Sequence, residues 1–431
     1  MKSLDQKLAN IHANPSGARD FILADAKDAD MAAGLAAPGK DAVTGKIRSL
    51  AEYRDQMREI VRQGLVDIML MSASTSEVLT IDERLFDHSA ITPAVRANDT
   101  TDIHLMTGGT YAAEPSRPFR TATIEQIQSG RIDPSPVERR RGANLGLYSM
   151  TPNNSVALDY PTVTAYKEFR IEAEQKGFRH FLEVFDPNAC GGACPHDLGR
   201  FINDLIVRTL AGVPRSGRPV FLKIAYHGPK AMEELVSYDP HLVPGILGGS
   251  SGTTHDAFKL LEEAKKYGAR AALFGRKINN SEHQLTFVRF LHAIATGEIK
   301  ADEACRAYHG ELQKLSIKPY RDLKADLELT TTATSYAGTG SSVSLAGKPA
   351  ERSKPKVTFS GTGGASASKT SGKVVAASVI PRSSGAPSSG GDGSLPKKAD
   401  GSPDFSKMTP AQKVAFARRR IQNEVSRNNG S

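Results

Sequence analysis

The chain has 431 residues, 39% of them hydrophobic and 24% charged, with a net charge of +9 and no tryptophan. That is enough apolar material for a sizeable core in two or three domains, or for a single α/β barrel with extensions. Residues 331–431 carry 15 Lys/Arg against 5 Asp/Glu and residues 1–330 carry 41 against 42, so the basicity belongs to the tail and says nothing about what the larger part acts on. The start, "MKSLDQKLANIHANPSG", has no apolar h-region, and no run of about 18 apolar residues occurs. A cytoplasmic chain, neither exported by a standard signal nor membrane-spanning, is expected. Three cysteines (Cys190, Cys194, Cys305) do not make a disulfide framework, which fits a reducing compartment.

Along the chain, short apolar runs recur before residue 330: "FILAD" (21–25), "VDIMLM" (66–71), "DIHLM" (102–106), "LGLYSM" (145–150), "FLEVFD" (181–186), "VFLKIA" (220–225), "VPGILG" (243–248) and "AALFG" (271–275). Amphipathic stretches lie between them. "SLAEYRDQMREIVRQG" and "THDAFKLLEEAKKYGA" have the i, i+3, i+4 apolar spacing of helices, the second closed by a Gly near its C-cap. Continuous apolar strands alternating with helices predict a parallel sheet covered on both faces. Eight repeats predict a (β/α)8 TIM barrel, with a doubly wound eight-stranded sheet as the structural alternative.

Barrel chemistry sits at the C-terminal ends of the strands. Those ends offer Asp25, with Lys27 and Asp28 close behind, then His104, Tyr148, Glu183 with Asp186, and Lys223. The seventh ends in "GGSSG" and the eighth in "GRK", which suits a phosphate: Gly248, Gly249, Ser250 and Gly275 allow close backbone approach, and Arg276 supplies charge. Lys223 interrupts an otherwise apolar run. Burying an ammonium favours its neutral form, which attacks carbonyls, and the resulting iminium is an electron sink for making or breaking an adjacent C–C bond. The other reading, a lysine ion-paired with Glu183 or Asp186 to stabilise the lumen, stays open on these grounds.

The stretch "FLKIAYHGPKAMEELVSYDPHLVPGILGGSSGTTHDAFKLLEEAKKYGARAALFGRKI" resembles the second half of the class I aldolases, the family that includes archaeal-type fructose-bisphosphate, tagatose-bisphosphate and deoxyribose-phosphate aldolases. The likeness spans roughly residues 20–300 and is strongest over 220–280. It implies a lyase that cleaves or forms a phosphorylated ketose or aldehyde without metal or other cofactor. It implies Lys223 as the Schiff-base lysine and Gly248, Gly249, Gly275 and Arg276 as the phosphate site. Through "FILADAKDADMAAGLAAPG" it implies Asp25 as a proton-handling acid, and family members are often homo-oligomers. The fructose-bisphosphate members carry a Trp and a catalytic Tyr at the end of strand 5, where "LEVFDPN" has Glu183 and Asp186 instead. The proton carrier is then Glu183, Asp186 or Tyr148. A rival enzyme reading is a metal-dependent lyase using His104 and the carboxylates. A non-enzymatic one is a barrel that delivers partners through its basic tail.

"CGGACPH" (190–196) offers a partial zinc set, and a Gly-rich loop with ordinary thiols is the preferred reading. "RRR" (139–141), "RSGR" (215–218), Arg117 and Arg120 read as loop charges. Residues 331–405, rich in Gly, Ser, Thr, Ala, Pro and Lys, predict a disordered linker. Residues 406–431 regain periodicity, with Thr409 as N-cap, Pro410 at the first helical position and Val414, Ala417, Ile421 and Val425 on one face. Linker and amphipathic helix together resemble the encapsulation peptides of bacterial microcompartments. That implies a shell-protein partner and a place in the microcompartment lumen. A nucleic-acid or anionic-surface tether through Arg418–Arg420, and a tail with no specific partner, are the other readings.

Overall fold

The structure is a computed structural model that describes residues 1–41, 44–191, 194–249, 252–333, 342–344 and 407. The chain divides into two compact units, Met1–Lys354 and Pro355–Ser431. The first is a closed barrel of eight parallel strands. They are β1 (Ile22–Lys27), β2 (Ile68–Met71), β3 (Thr92–Arg96), β4 (Leu145–Met150), β5 (Arg179–Val184), β6 (Leu222–Ile224), β7 (Gly245–Leu247) and β8 (Ala271–Phe274). Neighbours in sequence are neighbours in space, and β1 closes the ring on β8 with Ile22 opposite Ala271. The expected TIM barrel is therefore present, and the doubly wound alternative is not.

One strand lies elsewhere than expected. The third is Thr92–Arg96, and residues 102–106 form a turn in which Ile103 and His104 donate their N–H to the Thr100 carbonyl. The cause is chemical. "TPAVR" contains a proline and an arginine, so it does not read as a buried strand. Pro93 is tolerated because Thr92 N–H donates to Asp67 on the β2 side and Ala97 N–H to Leu147 on the β4 side. The nitrogen of residue 93 therefore faces β4, below the point where β3–β4 pairing begins at Val95.

Alternate strand positions fill the lumen: Ile22, Ala24 and Ala26 from β1, Ile68 and Leu70 from β2, Leu145 and Leu147 from β4, with the Phe181 and Phe221 rings stacked at 4.5 Å. Leu4, Leu8 and Ile11 of the N-terminal helix α1 (Ser3–Ala13) pack into this same cluster and close the floor. The other positions point to the helices. The helix expected between β1 and β2 is α2 (Leu50–Gln63), with a capping box between Ser49 and Glu52 and a left-handed C-cap at Gly64. It buries Tyr53, Met57, Ile60 and Val61 along one stripe, each contributing roughly 1.5–3 kcal/mol by burial. The one expected after β7 is α3 (Thr254–Lys266), capped by Thr253 and Asp256.

A C-terminal segment returns over the start of α3. Thr254 N–H donates to Asp326 Oδ1 (2.8 Å), Thr253 Oγ1 to the Glu328 carbonyl (2.9 Å), and Thr330 N–H to Asp256 Oδ1 (2.8 Å). Beyond residue 330 the described residues add a short antiparallel pair, Thr331–Ala333 with Ser342–Ser344. The expected tail helix lies outside the described residues, as does the rest of the expected linker.

His180 on β5 points outward and hydrogen-bonds the Tyr166 hydroxyl at 2.9 Å. Burial, with Arg170 nearby, holds its imidazole down from the ordinary 6.5 to about 3. Unfolded, the ring takes up its proton near 6.5, so between these values the unfolded chain binds more protons than the native one. Stability contributed by neutral His180 is therefore complete above pH 6.5 and is lost as the pH falls toward 3. Urea titrations across this range should show the slope of stability against pH reduced by up to about 1.4 kcal/mol per pH unit in His180→Gln. An unchanged slope would mean that the folded ring titrates normally.

Candidate active site

Five side chains from five strand ends form one buried row across the lumen. Lys223, in the middle of β6, is 2% exposed and places Nζ 2.5 Å from Glu183 Oε1. These two residues are direct register partners on adjacent strands. Glu183 Oε2 accepts from Ser149 Oγ on β4 (2.6 Å) and faces Arg96 Nη2 at 3.3 Å. Arg96, the last residue of β3, also donates from Nη1 to Ser149 Oγ (2.9 Å) and from Nε to Asp28 Oδ2 (2.5 Å). The row thus reads Lys, Glu, Ser, Arg, Asp, two cations alternating with two carboxylates, and every member but Lys223 is wholly buried. Buried ion pairs repay their desolvation poorly, and leaving one partner alone costs about 3–5 kcal/mol. A costly charged row at the catalytic end of a barrel marks a functional site.

The structure places the other expected residues unevenly. Ala24 and Ala26 face the lumen, so Asp25 and Lys27 face out between β1 and the helices. Lys27 Nζ lies 3.8 Å from Asp25 Oδ2 and donates to Gln284 Oε1 (2.7 Å) and Asn279 Oδ1 (3.2 Å). Burial pushes the Asp25 carboxyl above its ordinary range and the Lys27 amine below its own. Asp25 is thus displaced from the expected role, and Asp28 is the strand-1 acid in the lumen. Tyr148 is likewise on the outer face of β4, packed on Tyr166 and Phe169 with ring centroids 5.1 and 4.6 Å away. Its neighbour Ser149 takes the lumen position. Asp186 sits two residues past β5 and holds His227 Nε2 at 2.7 Å from Oδ1. His104 stands against the Tyr111 and Phe119 rings. Among the described residues, the one group of three His, Cys, Asp or Glu donors able to share an ion is Cys305, His309 and Asp326, so His104 has no such partners. The expected free thiols of the "CGGAC" loop are instead a Cys190–Cys194 disulfide, because the loop brings the two Cα atoms to 5.0 Å.

The residues expected to hold a phosphate share one place. Gly248, Gly249, Gly275 and Arg276 line one cleft with Lys223, Ala26, Leu247 and Leu273. The glycines are required by contact. A Cβ at Gly248 would collide with the Phe274 ring, and one at Gly275 would lie 2.5 Å from the Ala26 carbonyl. Gly249 has φ +61°, the left-handed region. Ser250 lies outside the described residues. At the start of α3 the N-cap Thr253 N–H is taken by Asp256 Oδ2, the Thr254 N–H by Asp326 and the Asp256 N–H by the Thr253 hydroxyl. An anion in the cleft would therefore meet the glycine backbone and Arg276 rather than the start of α3. Arg96, Ser149, Asp28 and His227 are the residues that sequence reasoning did not assign. Asp28 and His227 stand within stretches already marked, whereas Arg96 belongs to the strand that was misplaced.

No protein-family model matches the chain. Over 113 residues it is 30% identical to 2-amino-3,7-dideoxy-D-threo-hept-6-ulosonate synthase 1 of Archaeoglobus fulgidus, a match covering 25% of this chain and 42% of that protein. The chain thus spans less than half the length of the curated relative it matches. Among solved structures it is similar to an archaeal fructose 1,6-bisphosphate aldolase (16% identity, 68% of this chain and 100% of that chain, TM-score 0.48). It is also similar to the fructose-bisphosphate aldolase of Slackia heliotrinireducens (14% identity, 72% and 92%, TM-score 0.49). A structural study of a Schiff-base-forming fructose-1,6-bisphosphate aldolase gives 16% identity and a TM-score of 0.49, over 68% of this chain and 100% of that one. The chain resembles the class I, Schiff-base aldolases.

Proposed function

We propose that this chain is a class I aldolase, a carbon–carbon lyase acting on a phosphorylated ketose or aldehyde through a Schiff base on Lys223. The observation that carries the reading is the Lys223–Glu183 pair at 2.5 Å beside the cleft of Gly248, Gly249, Gly275 and Arg276. Glu183 is placed to take a proton from the Lys223 ammonium, freeing the amine to attack a substrate carbonyl. The carbinolamine then loses water to form an iminium, which accepts the electron pair of the adjacent C–C bond as it breaks. Arg96, itself anchored by Asp28, fixes the carboxylate of Glu183. Asp186 and His227 form the next titratable pair toward the mouth and suit proton transfer to substrate oxygens. Arg276 and the glycine backbone bind the phosphate. The tail, in this proposal, is an address that carries the enzyme to a partner such as a microcompartment shell.

Borohydride added with dihydroxyacetone phosphate should attach stable mass to the peptide that contains Lys223. In Lys223→Met, checked for folding by circular dichroism, that label should vanish and turnover should fall by roughly a thousandfold or more. A label that persists in the variant, or one found on the buried Lys27, would sink the assignment.

Arg276→Ala removes a charge-assisted contact of about 1.5–3 kcal/mol. The KM for a phosphorylated substrate should rise at least about tenfold, with a smaller change for its unphosphorylated analogue. Equal effects on both would show that Arg276 does not bind phosphate. Removing residues 355–431 should leave the kinetics in dilute solution unchanged. A large loss of turnover on a free small substrate would make the tail part of the working enzyme.

A further inference from the structure

Outside the barrel lumen, three metal-type donors converge beside the start of α3. We propose that Cys305, His309 and Asp326 form a site for a zinc-type divalent ion, completed by a water. The first two lie one helical turn apart on the same face of the helix Ala301–Lys314, and the third comes from the short helix Leu323–Asp326. Cys305 Sγ, a ring nitrogen of His309 and an Asp326 carboxylate oxygen all lie within 4.8 Å of one another. His309 Nε2 is 2.9 Å from Asp326 Oδ2, and Cys305 Sγ is 3.7 Å from the Asp326 carbonyl.

The donor set fits the ion in type, charge and setting. One thiolate and one carboxylate neutralise a divalent cation, and sulfur with imidazole selects zinc over magnesium or calcium. Zinc bonds of about 2.0–2.3 Å put tetrahedral ligand atoms roughly 3.3–3.8 Å apart. The His309–Asp326 pair is already near that spacing, and a rotation of the Cys305 side chain supplies the rest. Asp326 is oriented from behind, because its other oxygen, Oδ1, accepts the Thr254 N–H at 2.8 Å. His309 also lines a groove with Arg306, Gly310, Gln313 and Leu323, which gives an ion and its water a way in. Ion binding would tie the helix Ala301–Lys314 to the returning C-terminal segment and, through Thr254, to the start of α3. The site does not depend on the aldolase reading.

The test uses the full chain carrying Cys190→Ala and Cys194→Ala, so that Cys305 is the one thiol left, stripped with a chelator and titrated with Co2+. One equivalent should produce a thiolate-to-cobalt charge-transfer band in the near ultraviolet, and Zn2+ should bleach it. Added Zn2+ should also raise the thermal midpoint by several degrees. Cys305→Ser should abolish both band and shift, and His309→Gln, which keeps a hydrogen-bonding side chain, should weaken Co2+ binding at least about tenfold. If the parent shows no charge-transfer band, or if the band survives Cys305→Ser, the site does not exist. A variant that is folded by circular dichroism and keeps the full Zn2+ stabilisation overturns it equally.

Discussion

The contact between Lys223 Nζ and Glu183 Oε1 organises the lumen. Both groups are buried, so each depends on protein partners, and the demand propagates. Glu183 needs further donors for its second oxygen and takes Ser149 and Arg96. Arg96 in turn needs counter-charge, which Asp28 supplies. The result is a closed balance of two positive and two negative charges spread over strands β1, β3, β5 and β6, with the Ser149 hydroxyl as the neutral link on β4. Such a row holds its members in fixed geometry, since any displacement strands a charge in a low-dielectric interior. Fixed geometry is also what a lysine needs if it is to meet a carbonyl at one angle and one distance.

The barrel itself was legible because strands buried on both faces are continuous apolar runs, and seven of the eight runs read this way were found at or near their expected places. The same property hid the site. A strand that is apolar on both faces gives no phase, so nothing in "FILADAKD" says whether Asp25 or Asp28 points inward, and nothing in "LGLYSM" separates Tyr148 from Ser149. Phase comes from packing. The two small alanines at 24 and 26 line the lumen, while Tyr148 finds a place for its ring against Tyr166 and Phe169 in the helix layer. Arg96 was hidden for a different reason: the strand it terminates carries a proline and a buried cation, and neither has meaning until the partners Asp67, Asp28 and Glu183 are in place. Lys223 and Glu183 were visible because a charge inside an apolar run is an anomaly whichever way it points.

The cleft of Gly248, Gly249, Gly275 and Arg276 is shaped by what lies behind it as much as by its own glycines. Gly248 sits against the Phe274 ring of β8, so the chain just past β7 packs there with no side chain intervening. Behind it, the start of α3 is held by the Asp326 carboxylate and the Leu327 and Glu328 carbonyls, while Thr330 donates its N–H back to Asp256. Lys277, next to Arg276, reaches across to the Gly252 carbonyl at 2.8 Å and joins the two glycine ends to each other. The stretch from Gly252 to Asp256 is thus held by hydrogen bonds from two separate stretches of chain, residues 326–330 and Lys277.

Helix α1 gives the barrel a floor. Leu4, Leu8 and Ile11 fill the end of the lumen opposite the charged row, and the stacked phenylalanines lie in the same apolar cluster. The vessel is therefore blind, with traffic confined to one mouth. Every molecule that enters must leave the way it came, including any water released when an amine condenses with a carbonyl. A proton exchanged with solvent has the same single route, past the Asp186–His227 pair and the apolar contact of Ile103, Phe185 and Leu247. Order of arrival and departure at this mouth then becomes a property of the fold, because two occupants cannot pass each other in a dead end.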